Sequence, residues 1–172
     1  KGVSDSTIYI GSKVKGSISI QVRGSGSVVY IGDKCNLNAL EIRSFQDNDV
    51  VVIGNNVSTT GTVRLVSGNG SGNARPMIVI GDDCMFSYGI TIRNSDAHPI
   101  VSVKDRKQLN EPVSSVIIEP HVWVAQDVSI LKNVSIGACS IVALGSVVTA
   151  SCPRFSILSG VPAVARSCNS GM

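Results

Sequence analysis

From Ile118 onward the chain keeps a strict six-residue period. Ile118, Val124, Ile130, Ile136, Val142 and Val148 follow one another without a gap. Four residues after each come Val122, Val128, Val134, Ser140, Ser146 and Cys152, all small or β-branched. An amphipathic helix would show apolar spacings of three and four, which are absent here. Three six-residue sides make an 18-residue turn, which stacks Ile118 beneath Ile136. One aliphatic residue per side fills a prism interior, and one small residue lets the backbone turn a tight corner. This pattern predicts an all-β chain, a left-handed parallel β-helix, and a repeat of this kind determines the whole architecture. Composition agrees. The chain has 25 Val and 18 Ile against 7 Leu, and only 4% aromatics. β-branched side chains suit a pleated surface and lose rotamer freedom in helices, so the core must be built of thin aliphatic layers.

The N-terminal half repeats less regularly. Ile-Gly pairs start at Ile10, Ile31, Ile53 and Ile80, separated by 21, 22 and 27 residues. Against an 18-residue coil the excesses are 3, 4 and 9, which predict bulges at the corners, the longest of them over Thr62–Pro76. Ile80, Phe86 and Ile92 restore the period and place the next slot at His98, where it breaks. A loop is therefore expected to project from the prism around residues 93–116, with Lys104, Asp105, Arg106, Lys107 and Glu111 clustered in it. Long loops in compact repeats are more often functional than idle. Pro153 and Pro162 cannot donate to a central ladder, so the chain is expected to leave the prism after Cys152. Residues 1–166 read as one domain and 167–172 as a loose tail.

A net charge of +3 with scattered bases and few aromatics gives no reason to expect nucleic acid as a partner. No apolar stretch approaches the ~20 residues that span a bilayer, so no transmembrane segment is expected. The five cysteines form no CxxC pair. Cys35, Cys84 and Cys139 follow Ile-Gly steps and read as small buried spacers, and free buried thiols fit a reducing cytoplasm. No metal site is expected. A γ-class carbonic anhydrase on this fold needs three imidazoles at zinc, and the chain has only His98 and His121.

An imidazole is the simplest general base near neutral pH, and His98 opens the projecting loop. By residue chemistry alone an ordinary loop histidine is the favoured reading, and a general base the second. Asp96 could orient its ring or cap a turn. His121 falls one residue before a corner and is expected to face solvent. Trp123 lies between the corner spacer Val122 and the inward Val124, so alternation turns it outward.

Asp96-Ala97-His98-Pro99-Ile100, then Asp105-Arg106 and Asn110, then Ile118-Glu119-Pro120-His121-Val122-Trp123-Val124-Ala125, together resemble the hexapeptide-repeat acyltransferase family. Ser159-Gly160-Val161-Pro162-Ala163 is similar to its closing Gly-Val-Pro-Ala element. The spacing is most like that of bacterial O-acetyltransferases acting on capsular and surface polysaccharides, including polysialic acid. The resemblance covers Ile80–Arg166 well and the first 79 residues only as generic repeats. It implies a homotrimer with acetyl-CoA as co-substrate in clefts between prisms, a carbohydrate acceptor, and direct transfer without an acyl-enzyme. His98 matches the catalytic base and Trp123 the tryptophan shaping the cleft. The backbone at Ala125 matches the segment beside the thioester, where an N–H can bind the oxyanion. Gln126, Leu144, Thr149 and Ala150 match the lining of the coenzyme arm and phosphates, and Arg154 or Arg166 would replace a basic residue the family often carries nearby. Two alternatives remain: transfer to a small acceptor such as an antibiotic, serine or a simple sugar, and a non-catalytic β-helical binding scaffold.

Overall fold

The computed structural model describes residues 3–68, 75, 77–110 and 114–167. Its strands build the expected left-handed parallel β-helix with three faces. The first face stacks Thr7–Ile10, Val28–Ile31, Val50–Ile53, Met77–Ile80, Val116–Ile118 and Val134–Ile136 in parallel register. The second carries Ser58–Thr59, Met85–Phe86, Trp123–Val124, Ile141–Val142 and Ser156–Gly160, and the third carries Val63–Ser67, Ile90–Arg93, Ser129–Ile130 and Val147–Val148. In the first coils the long strands Lys15–Val22 and Asn36–Ser44 run through the second corner without a break, and the extra residues fall at the corner between the third and first faces, where Ile53 follows Ile42 by 11 positions against six from Ile130 to Ile136. No helix among the described residues is long and apolar enough to cross a membrane.

The period is also the packing rule. Ile118 lies beside Ile136 in the parallel ladder. Ile118, Val124, Ile130, Ile136, Val142 and Val148 are all fully buried, as are the spacers Val122, Val128, Val134, Ser140 and Ser146, with Cys152 nearly so. Each aliphatic side chain meets its equivalents in the coils above and below, forming one continuous core.

The Ile-Gly repeat has its own cause. At the corner after the first face, successive coils come so close that a side chain would strike backbone. A Cβ on Gly32 would lie 2.7 Å from the carbonyl carbon and oxygen of Gly54, and one on Gly81 2.6 Å from the nitrogen of Pro120. The next residue ties the coils together. Ser12 N–H donates to Asp33 Oδ1 at 2.7 Å, Asp33 N–H to Asn55 Oδ1 at 2.9 Å, and Asn55 N–H to Asp82 Oδ1 at 2.6 Å. Where Glu119 replaces glycine, its carboxylate reaches the other way and accepts from Ala138 N–H at 2.8 Å. The residue after that turns left-handed in coil after coil: Lys13, Lys34, Asn56, Asp83, His121 and Cys139 all have φ near +60°. His121 is thus a corner residue, exposed, with Nε2 3.9 Å from Asp83.

Four expectations are corrected. Cys139 occupies this half-exposed left-handed corner and Ser140 is the buried spacer, because Cys139 follows its Ile-Gly step one residue sooner than Cys35 and Cys84 do. The long bulge does not begin at Thr62: Val63–Ser67 is a strand of the third face, and the remainder, 69–74 and 76, lies outside the described residues. The chain does not leave the prism after Cys152. Cys152 bridges to Ile136, and Ser156–Gly160 adds another layer with Leu158 buried over Val142. Ala163–Ser167 then folds back antiparallel, so Ser167 is strand rather than tail, and 168–172 lie outside the described residues.

At the corner between the third and first faces, the early coils bury polar side chains. Asp49 Oδ2 accepts from Ser44 Oγ at 2.8 Å and from the N–H groups of Phe45 and Gln46 at 3.1 and 3.2 Å. Burial pushes this carboxyl up from its ordinary range, against the pull of those hydrogen bonds. One coil on, Asn94 Oδ1 accepts from Gly68 N–H at 2.9 Å while its Nδ2 donates to Ser67 Oγ at 3.0 Å.

Gly32→Ala should lower the melting temperature by an amount equivalent to about 1–3 kcal/mol, because backbone has to move to admit one methyl group. A thermal melt in which Gly32→Ala matches the parent would refute the close-approach account.

Candidate active site

The projecting loop springs from the polar corner just described. Asn94 is buried at its root and its carbonyl accepts from Ser114 N–H at 2.9 Å, closing the base of the loop. Further out, Ser102 N–H bonds the Lys107 carbonyl at 2.8 Å, and Val101 pairs with Gln108, so the tip is a small hairpin. His98 is exposed on the rising limb, and its ring makes no hydrogen bond among the described residues. Ala97 before it is left-handed at φ +67°. Pro99 after it restricts His98 to extended conformations.

Asp96 does not orient the ring. Its Oδ2 takes Lys132 Nζ at 2.7 Å and Asn110 Nδ2 at 2.6 Å. The Lys132 ammonium holds the Asp96 carboxyl below the usual carboxylate range, with Asn110 adding to the effect. Asn110 also bonds the backbone on both sides of Pro99. Its Nδ2 donates to the His98 carbonyl at 3.2 Å, and its Oδ1 accepts from Ile100 N–H at 2.7 Å. Sequence reasoning passed over Lys132. It sits in a corner triplet of the hexapeptide repeat, where a polar residue looks like solvent-facing filler.

Trp123 stands on the second face, 46% exposed and turned outward as expected. It lies in register with Met85 below and Ile141 above, and Ile141 with Ile157, so four bulky apolar residues form an outward row along the prism. The next outward position in the same coils holds Ser87, Ala125, Ala143 and Ser159. A bulky row beside a small one makes a shallow groove parallel to the axis. The small row was legible only after the coils were aligned.

Ala125 lines this groove, but its N–H donates to the Val142 carbonyl at 2.9 Å. A peptide nitrogen has one proton to donate, so the expected oxyanion contact is not open to it. Gln126 and Leu144 sit at the edge of the same face, where Gly145 N–H bonds the Gln126 carbonyl at 2.9 Å, and Leu144 is 66% exposed. Arg166 is exposed on the closing strand, opposite Ile157. Arg154 lies over the Phe155 ring, 5.5 Å from its centroid. Thr149 and Ala150 are exposed past the third face, on the corner from which the His98 loop springs two coils below.

The residues singled out from the sequence therefore fall into two groups. Trp123, Ala125, Gln126 and Leu144 gather on and beside the second face. His98, Thr149 and Ala150 belong to the corner between the third and first faces. The prism core separates the two groups. The buried thiols of Cys84 and Cys35 do not compete as nucleophiles: burial raises Cys84 to about 11, and Cys35 is raised for the same reason. A separate shallow cavity of about 330 Å³ lies on the third face of the first coils, lined by Ser19, Gln21, Glu41, Ile42 and Arg43.

No family model matches the chain. A polysialic acid O-acetyltransferase of Neisseria meningitidis is 30% identical over 148 residues, covering 77% of this chain and 68% of that protein. The crystal structure of the polySia-specific acetyltransferase NeuO superposes with a TM-score of 0.76 at 26% identity, covering 96% of this chain and 77% of that one. The polysialic acid O-acetyltransferase OatWY superposes with a TM-score of 0.80 at 24% identity, over 96% and 86% of the two chains, a likeness of fold. The repeat that dictates the prism, the exposed histidine on its loop and this identity across two thirds of a relative lead to one conclusion: the chain belongs to the hexapeptide-repeat acyltransferase family, among its O-acetyltransferases.

Proposed function

We propose that this chain transfers acetyl from acetyl-CoA to a hydroxyl of a sugar in a capsular or surface polysaccharide, with His98 as general base. Polysialic acid is the acceptor to try first, since that is what the named relatives modify. The observation that carries the reading is the exposed, firmly rooted His98 loop on a prism of this family. The neutral imidazole takes the hydroxyl proton as the sugar oxygen attacks the thioester carbon. The tetrahedral intermediate collapses, the carbon–sulfur bond breaks, and the thiolate recovers the proton. The products are an acetyl ester and free coenzyme A. No protein nucleophile is used, so no acyl-enzyme forms.

The site is completed by a second copy of the chain. His98 and Trp123 lie on different sides of one prism, and a neighbour brings one against the other in a homotrimer acting in the cytoplasm. An apolar outer face supports self-association. Tyr9, Tyr30, Val52, Val79 and Ile117 form one outward row of the first face. Tyr9, Tyr30 and Ile117 are 38–50% exposed, and the two tyrosine rings stack at 4.9 Å. Such a strip is costly to leave in water. Ala125, Gln126, Leu144, Thr149, Ala150 and Arg166 are the residues proposed to line the coenzyme.

His98→Ala should reduce transfer to polysialic acid by ~10²–10⁴-fold while the thermal shift produced by acetyl-CoA is retained. Activity of the parent should fall on the acid side as the imidazole gains a proton. A variant keeping more than about a third of the rate, a loss below that expected of a general base, would move the base elsewhere.

Trp123→Ala should cut turnover strongly with little change in melting temperature, and Trp123→Phe should be intermediate. A variant that unfolds would make Trp123 a packing residue, and one with full activity would remove it from the site.

Sedimentation should give three chains per particle. A monomer turning over acetyl-CoA at full rate would refute the shared site.

A further inference from the structure

The geometry points to Lys132, acting through Asp96 and Asn110, as the residue that positions His98. This rests on His98 being the base. Lys132 lies two residues after the strand Ser129–Ile130 on the third face, so its stem is part of the rigid prism, and its side chain is only 23% exposed. From there it reaches one coil down and meets Asp96 Oδ2 at 2.7 Å. Asp96 is two residues before His98. The same carboxylate oxygen takes Asn110 Nδ2 at 2.6 Å, and Asn110 in turn bonds the His98 carbonyl and the Ile100 N–H. One ammonium, one carboxylate and one amide thus connect the prism to both sides of the histidine.

The backbone between these contacts needs holding. Ala97 has a Cβ yet sits at φ +67°, a region that non-glycine residues adopt only when their surroundings impose it. Pro99 removes a donor at the next step, so the limb has few hydrogen bonds of its own. Without the clamp, the segment 96–100 would relax, and the imidazole would sample many positions. Misplacement by about 1 Å is enough to cost ~10²-fold in an oriented reaction. Asp96 thereby acquires a role other than contact with the ring, and the Lys-Asp-Asn set is a positioning device rather than a group that touches substrate.

The test compares Lys132→Met, Asn110→Ala and Lys132→Arg, each in the full chain, using acetyl-CoA and oligomeric sialic acid with release of free thiol as readout. Lys132→Met and Asn110→Ala should lower kcat by ~10–100-fold, with KM for acetyl-CoA and melting temperature unchanged, and Lys132→Arg should restore most of the rate. In a His98→Ala background, Lys132→Met should cause no further loss. A further loss there would mean that Lys132 acts independently of His98 and would overturn the proposal. A fully active His98→Ala would instead overturn the assignment of the base. Hydrogen exchange gives a reading that needs no acceptor. The Ile100 amide should exchange at least about tenfold faster in Lys132→Met than in the parent, with the prism strands unchanged. Unaltered exchange would show that the clamp does not hold the loop.

Discussion

Each coil of this protein can bury its aliphatic side chains only against the coil above and the coil below. A single turn encloses too little volume to exclude water, and its backbone donors and acceptors all point along the axis. The hydrogen bonds between coils therefore impose the side-chain period, and the period keeps the hydrogen bonds in register. Ile118 over Ile136 is one instance, and the stacked glycines and aspartates at the first corner are another. A residue too large at Gly32 would separate two layers of the core as well as two loops.

This constraint also dictates where chemistry can be placed. A filled prism has no internal cavity to spare, so functional groups must stand on its outer faces or on segments that leave it. Trp123, in the role proposed for it, follows the first route: its neighbours Val122 and Val124 are fully committed to the core, and alternation leaves it outside. His98 follows the second, on a loop inserted where the next aliphatic slot was due. A loop without a core of its own needs polar anchors. Asn94 with Ser67 and Gly68 serves at its root, and Asp96 with Lys132 and Asn110 beside the histidine. Lys132 belongs to the repeat and Asn110 to the loop, so the two kinds of structure are joined at this point.

Separation of His98 from Trp123 follows from the same geometry. His98 stands on the loop at the corner between the third and first faces and Trp123 on the second face, with the prism core between them. The homotrimer proposed above answers this separation, and the apolar row from Tyr9 to Ile117 is the surface offered for it.

The amino-acid sequence alone determined the β-helix, its inward positions and the place of the projecting loop, because each depends on a period that short-range alternation expresses directly. It also placed Trp123 outside and His98 on the loop. Contacts between residues far apart along the chain were decided only in three dimensions. Lys132 meets Asp96 across 36 positions, and the small row Ser87, Ala125, Ala143 and Ser159 becomes a groove only when four coils are aligned. The Ala125 N–H, open to any partner in a linear reading, is committed to Val142 once the next coil is laid on top. Cys139 differs in that respect: a shift of one residue makes it a corner, and the period that runs from Ile136 to Ser140 already names the residue that fills the slot.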